Sequence, residues 1–191
     1  MKESLNAYVD KVKKEFSFEF IQDIKIKESL YLFFGYSFMY FDEIKNDDLE
    51  EKLKELKAHT ILIYIGSVVE AIVYHFVEKR LIDEKSKRKY LELKEFKTLY
   101  KVEKANIYLC ELETKKVSLN DTKNFRALVN GLKDKHLLNE KLIEKIDYCR
   151  QMRNLIHIDM FSISELELIN EITKALIYTK EIINIIKKEL K

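Results

Sequence analysis

The sequence contains no proline, no tryptophan and only three glycines among its 191 residues. A sheet protein of this size normally needs many turn residues to reverse its strands, so this scarcity argues against a fold built on sheets. We therefore predict an all-α protein, a helical bundle with one long central helix. With 47% hydrophobic residues the chain can bury a substantial core, and its length fits a single domain over residues 1–191.

A strong net charge is also lacking, because 35 lysines and arginines nearly balance 33 aspartates and glutamates. Any binding of nucleic acid must then come from a local patch. Cys110 and Cys149 form no CxxC or CxxH pair and no disulfide framework, and we interpret them as reduced thiols that lie in the core or at its edge. The N-terminus has no apolar segment followed by a small-residue cleavage site, which favours a cytoplasmic location.

Motifs for cofactors and metals are missing as well. The chain has neither a P-loop nor a dinucleotide-binding glycine motif. His59, His75 and His136 show no mutual ligand spacing, and no H-E-x-x-H element occurs. We expect neither a cofactor nor a metal site.

The longest apolar stretch, residues 61–77, approaches the lower length limit for crossing a bilayer. It contains Glu70, and a central carboxylate is costly in hydrocarbon, so no membrane span is expected. Together with the charged portion before it, the stretch predicts a long helix over residues 47–82, or two nearly collinear ones, whose second half is the central core element. Glu70 is either a functional acid or, as we favour, a carboxylate satisfied by a nearby Arg, Tyr or His.

Helix signals occur along the rest of the chain. Residues 2–16 place apolar side chains at helical spacing, and residues 18–44 are rich in aromatic side chains that we expect to pack inward. Further helices are predicted from a cap at Asn120 or Asp121 to Gly131 at C′, from Glu140 to His157 behind an Asn139 cap, and from Glu165 to near Lys191 behind a capping box of Ser164 and Glu167.

The densest basic cluster lies at residues 83–89 and continues at Lys94, Lys97, Lys101 and Lys104. Residues 83–89 are also the best candidate for a linker. The cluster could guide RNA phosphates. A solvated loop and helix face is the favoured interpretation, because lysine-rich surfaces are common in such compositions.

The most informative segment is the end of the helix predicted over residues 140–157, with the sequence IDYCRQMRNLIHIDM. At about 100° per residue, setting Arg150 at zero places Arg153 at about −60°, Asn154 at about +40° and His157 at about −20°. The four polar side chains fall within a sector of about 100° that borders the apolar stripe of the same helix. The sector is placed to line a groove.

Such a set of side chains suits cleavage of an RNA phosphodiester without a metal. A histidine can shuttle protons near neutral pH, while guanidinium groups bind the scissile phosphate and offset charge that develops in the transition state. Asn154 can position the histidine or the 2′-hydroxyl. The alternative is a partly buried helix end whose arginines pair with acidic neighbours, and the helix geometry alone favours this alternative.

The run NFRALVNGLKDKHLLNEKLIEKIDYCRQMRNLIHI, residues 124–158, resembles the C-terminal half of HEPN domains, the higher eukaryotes and prokaryotes nucleotide-binding superfamily. In that family a short helix and a polar loop lead into a helix that ends in R-x(4–6)-H, often with Asn, Asp or His after the arginine. The stretch Ala58 to Lys79 is similar to the family's earlier core helix. The likeness covers about a third of the chain.

Two details depart from the family pattern. Arg153 is followed by the favoured asparagine, but only three residues separate it from His157. Arg150 has the permitted six-residue spacing but is followed by Gln151. Either arginine can therefore take the family role.

The resemblance implies a metal-independent endoribonuclease that cleaves single-stranded RNA by attack of a 2′-hydroxyl, in toxin–antitoxin, abortive-infection or CRISPR-type defence. It implies His157 as general acid or base, Arg153 and Arg150 as phosphate ligands, and Asn154 as the orienting residue. Under the family packing, Glu70 orients Arg153 or His157.

The partners that the resemblance implies are RNA, a second copy of the chain and a cognate antitoxin or defence-complex protein. Two R…H elements would face each other across the two-fold axis of a homodimer. The alternative is a non-catalytic HEPN-like module that binds RNA or protein, and the three-residue spacing after Arg153 favours it.

Overall fold

The structure, a computed structural model, describes residues 4–46, 49–87, 91–102, 105–114, 125–134, 136–154 and 165–190. The chain separates into two compact units, one of Met1–Val77 with Lys123–Lys191 and the other of Glu78–Thr122. One domain over residues 1–191 stays a prediction.

Six α-helices account for most of the residues that the structure describes. They are α1 (Leu5–Glu15), α2 (Ile24–Asn46), α3 (Glu51–Lys87), α4 (Phe125–Asp134), α5 (Glu140–Asn154) and α6 (Glu165–Glu189). The predicted all-α class is confirmed for the first unit, whose described part consists of these helices, up to Val77 of α3, and the segments that join them.

The third helix is the central core element of the first unit, as the sequence predicts. Its inward face is fully buried and packs against α2 and α6. The buried side chains that it contributes are Ala58, Ile61, Leu62, Ile65, Val68, Val69, Ile72, Val73, Phe76 and Val77. Because these positions recur every three or four residues, one face of a single long helix can bury all of them.

The segment Glu51–Arg80 within α3 is the one described helix that is long and apolar enough to cross a membrane by length and composition alone. Its most apolar window is 56% buried inside the protein. A helix at the centre of a bundle must bury much of its surface, so this burial fits the predicted core role.

Aromatic side chains line the contact of α2 with the segment before it. The ring of Phe18 is fully buried and lies 4.9 Å from the ring of Tyr31 and 6.2 Å from that of Phe34, both in edge-to-face arrangements. The inward packing of these three rings confirms the prediction for them. On the other side, α1 approaches α2 closely, since a Cβ on Gly35 would lie 2.6 Å from Cγ2 of Val9.

The connection from α4 to α5 corrects one predicted boundary. We expected Gly131 to end the helix, but α4 continues to Asp134. The amide of His136, at φ 50°, donates to the carbonyl of Lys133, and the amide of Leu137 donates to that of Leu132. This is a Schellman motif with histidine in the left-handed position. Burial of Leu132 explains why the helix runs past the glycine.

The other helix boundaries can be compared in part. Asn139 caps α5 as predicted, because its side-chain oxygen accepts a hydrogen bond of 2.9 Å from the amide of Leu142. The sixth helix begins at the predicted Glu165. The predicted caps at Asn120, Asp121 and Ser164 lie outside the described residues.

The second unit contains two strands that the sequence interpretation did not expect. Strands β1 (Leu91–Val102) and β2 (Ala105–Thr114) pair antiparallel, with register shifts near Phe96 and Tyr100. The linker prediction is wrong for residues 83–87, which continue α3.

The predicted helix face is wrong for Lys94, Lys97 and Lys101, which lie in β1, while Lys104 falls outside the described residues. Apolar and polar residues alternate with a period of two along this segment, which is why it forms a strand and not a helix.

Candidate functional site

The fifth helix carries three of the four predicted site residues. Its inward stripe is buried as the helix geometry predicts, with Leu142, Ile146 and Cys149 in the core. Met152 packs at the edge of the core formed by α2, α3 and α6. The polar sector that follows along the helix therefore borders the buried face.

Contacts with α6 fix the position of α5. Lys145 forms an ion pair with Glu181, and the hydroxyl of Tyr148 donates to Glu171. The ring of Tyr148 lies 5.2 Å from that of Tyr178 in an edge-to-face contact. Burial, followed by the contact with Glu171, raises the pKa of Tyr148 above its ordinary value. The end of α5 is thus held on a fixed support.

Cys149 is a core thiol, as the sequence interpretation favours. Its Sγ lies 3.9 Å from Oγ1 of Thr179, and the residue is fully buried. Burial raises the pKa of Cys149 to about 12. A thiol with so high a pKa is scarcely ionised near neutral pH and is not a nucleophile.

Arg153 reaches across to α3. Its Nη1 donates a charge-assisted hydrogen bond to Oε2 of Glu70, and the two side chains are 35% and 31% exposed. The aliphatic stem of Arg153 lies directly on Gly66, because a Cβ there would be 2.6 Å from Cβ and 3.0 Å from Cδ of the arginine. Gly66 and Glu70 are four residues apart, so both lie on the face of α3 towards α5.

This arrangement decides between the two interpretations of Glu70. The favoured one, a carboxylate satisfied by a nearby cation, is confirmed by the ion pair with Arg153. Of the two partners that family packing implies for Glu70, Arg153 is the one in contact; His157 lies outside the described residues.

Arg150 is held in a different way, by its own helix. Its Nε donates to Oδ1 of Asp147 at 2.6 Å, and the Nε2 of Gln151 donates to the other oxygen at 2.8 Å. Burial alone would raise the pKa of Asp147, but the hydrogen bonds from Arg150 and Gln151, with the charges of Arg150 and Lys133, outweigh it and lower the pKa. The Arg150 side chain is only 16% exposed.

The two arginines of the predicted sector are therefore held by different parts of the structure. Arg153 lies on α3, Arg150 is bound to Asp147, and Asn154 is exposed at the end of α5. The structure thus places Arg153 at the contact between α3 and α5, while the two guanidinium groups bind different carboxylates.

Two residues of this region were missed from the sequence. Gly66 interrupts an apolar helical run, and an isolated glycine there signals close approach of a neighbouring element. Asp147 precedes Arg150 by three residues, the spacing of neighbours on a helix surface. Both signals are local and were open to inspection.

The arrangement can bind a phosphate at Arg153. A guanidinium carries five N–H donors, and Glu70 engages Nη1, so the remaining edge can face a phosphate oxygen. Within the part of the chain that the structure describes, no group of three or more His, Cys, Asp or Glu side chains is placed to hold a metal ion. No family model, curated protein or solved structure matches the chain.

Proposed function

We propose that the chain is a metal-independent endoribonuclease of the HEPN type that cleaves single-stranded RNA. The placement of Arg153 carries the proposal, because its guanidinium is partly exposed and held by α3 beside the exposed Asn154. In the sequence, His157 follows three positions after Asn154. These residue types supply the phosphate ligand, the polar orienting group and the proton carrier that the reaction needs.

In the proposed reaction, a ribose 2′-hydroxyl attacks the adjacent phosphorus and the bond to the 5′-oxygen of the next nucleotide breaks. His157 exchanges a proton with the reacting oxygens as general base or acid. Arg153 binds the non-bridging phosphate oxygens and offsets their growing charge, while Asn154 orients the histidine or the hydroxyl. The products end in a 2′,3′-cyclic phosphate and a 5′-hydroxyl.

Arg150 has a secondary part in this proposal. Its side chain is mostly buried and its Nε is bound to Asp147, so it reaches RNA only through its remaining N–H donors. It therefore holds a flanking phosphate or the partner subunit. The expected setting is a toxin–antitoxin, abortive-infection or CRISPR-type defence system, with an antitoxin or defence-complex protein as partner.

A non-catalytic RNA-binding or protein-interaction module is the second candidate. It is favoured by the fact that both arginines already pair with carboxylates, Arg150 with Asp147 and Arg153 with Glu70. A paired guanidinium attracts phosphate less strongly, because the carboxylate offsets its charge.

Incubation of the purified chain with end-labelled single-stranded RNA in EDTA tests the proposal. We expect cleavage that leaves 2′,3′-cyclic phosphate ends and that weakens as salt is added, because salt screens the attraction between arginine and phosphate. Cleavage that required Mg²⁺ or Mn²⁺ would overturn the mechanism. RNA binding without any cleavage would favour the second candidate.

A further inference from the structure

We propose that Glu70 is a positioning residue, which acts through Arg153 and with Gly66 holds that arginine in the orientation needed for phosphate. The inference rests on the proposed function. Gly66 and Glu70 constrain Arg153 at two points, since the stem lies on the glycine and the guanidinium is bound by the carboxylate. A side chain held at both ends has lost most of its rotational freedom before RNA arrives.

The surroundings of Glu70 indicate that the pair is not an ordinary surface ion pair. Glu70 is the only charged residue (Asp, Glu, Lys or Arg) between Ile61 and Val77. Its neighbours Val69 and Val73 are fully buried, and Glu70 itself is 31% exposed. An apolar residue at the edge of a core would serve stability as well or better, because removing a carboxylate from water is costly.

Close packing at Gly66 gives the second, independent sign. A Cβ at this position would lie 2.6 Å from Cβ of Arg153, an atom near the backbone that cannot move aside without shifting α5. Gly66 therefore sets the distance between α3 and α5 at the position from which the Arg153 side chain projects. At Gly131, by contrast, an added Cβ meets nothing within 4 Å.

The role makes a prediction that a merely structural role does not. The negative charge of Glu70 opposes RNA binding, while the hydrogen bond to Arg153 orients the guanidinium for the transition state. Removing the charge should therefore lower KM and reduce kcat. A general loss of folding would instead lower the active fraction, leaving KM unaltered and reducing the thermal midpoint.

The experiment measures steady-state RNA cleavage by Glu70→Gln in the full chain. Glu181→Gln is the matched control, since it removes another ion pair of α5, with Lys145, at similar exposure and away from the site. We expect Glu70→Gln to lower kcat by about 10- to 100-fold, the scale of a small misplacement of a reacting group, and Glu181→Gln to leave kcat unchanged. In an Arg153→Ala background, Glu70→Gln should cause no further loss.

Gly66→Ala is the second variant, with Gly131→Ala as its control, and far-UV circular dichroism checks that each variant is folded. We expect Gly66→Ala to lower kcat and Gly131→Ala to leave kcat at the wild-type value. A wild-type kcat for Glu70→Gln would overturn the positioning role alone. The same would follow if Glu70→Gln lowered kcat as much in the Arg153→Ala background as it does in the wild type. A wild-type chain that does not cleave RNA would overturn the proposed function, and the positioning role with it.

Discussion

The two arginines near the end of α5 differ in where their carboxylate partners lie. Arg150 is bound within its own helix, where Asp147 accepts hydrogen bonds from both Arg150 and Gln151. Arg153 is bound by Glu70, which lies 83 positions away in the sequence. A contact within one helix forms as soon as the helix does, whereas the second contact depends on the packing of α5 against α3.

The lowered pKa of Asp147 links stability to pH. A carboxyl group whose folded pKa lies below its unfolded value stabilises the fold above the unfolded pKa, about 3.9, and loses that contribution as pH falls through the folded pKa. We therefore expect the wild type to lose more free energy of unfolding than Asp147→Asn as pH is lowered from about 5 to below the folded pKa.

Urea unfolding at a series of pH values measures this difference. Parallel curves for the wild type and Asp147→Asn would contradict the account of this carboxyl group.

The candidate site residues could be named from the sequence, but helical spacing alone could not name their partners. Helical spacing places Arg150, Arg153 and Asn154 beside the apolar stripe, in which Cys149 is buried and Met152 is partly buried. Nothing in the spacing says that Arg153 turns to Glu70, because that choice depends on which face of α3 meets α5. Packing between distant elements is decided by the whole core.

The ends of the helices also show that local contacts can be predicted from the sequence, whereas packing between distant elements cannot. The Asn139 cap could be predicted because a side-chain acceptor acts on an amide three residues away. Gly131 looked like a helix end, yet α4 continues past it, because burying Leu132 outweighs the weak helix preference of glycine. The left-handed position falls instead to His136, a residue type that tolerates it better than most.

A stability prediction follows from the position of Gly131 inside α4. Gly131→Ala should raise the free energy of unfolding by about 0.4–1 kcal/mol, because alanine restricts the unfolded chain and its Cβ meets no atom within 4 Å. Urea unfolding provides the measurement. Gly35→Ala is the contrasting variant and should destabilise, since its Cβ would lie 2.6 Å from Val9. A destabilised Gly131→Ala would contradict the placement of this glycine.

Strands β1 and β2 do not follow from the composition of the chain. Scarce glycine and proline argue against a large sheet, but a single hairpin needs only one reversal of the chain. The alternation in Leu91–Val102 and Ala105–Thr114 was visible, and the register shifts interrupt it near Phe96 and Tyr100. Those interruptions obscure the period of two.

At the scale of the whole molecule, the helical class of the first unit could be predicted, while the division into two units could not. A sequence rich in helix formers with almost no glycine or proline leaves few alternatives to a bundle. The division falls after Val77 and so lies inside α3, where the apolar residues 61–77 are followed by a segment rich in charged residues. A change of composition within a continuous helix does not by itself indicate a boundary between two units.

Assembly is a prediction at the scale of the whole molecule. A polar sector beside an apolar stripe suits a two-fold groove that presents the same patch on both chains, and we expect a homodimer. Light scattering at micromolar concentration should give twice the chain mass of 22.9 kDa. The monomer mass alone would count against a composite site.

Substitution of His157 tests the central claim, RNA cleavage at the end of α5, most directly. Both candidate arginines share this histidine, so His157→Ala should lower the cleavage rate in EDTA by about 10²–10⁴, the effect of losing a general acid–base group. His136→Asn is the matched control, because His136 is exposed and asparagine tolerates its left-handed backbone. The account predicts a wild-type rate for His136→Asn and near loss of cleavage for His157→Ala. A His157→Ala variant that cleaves RNA at the wild-type rate would contradict it.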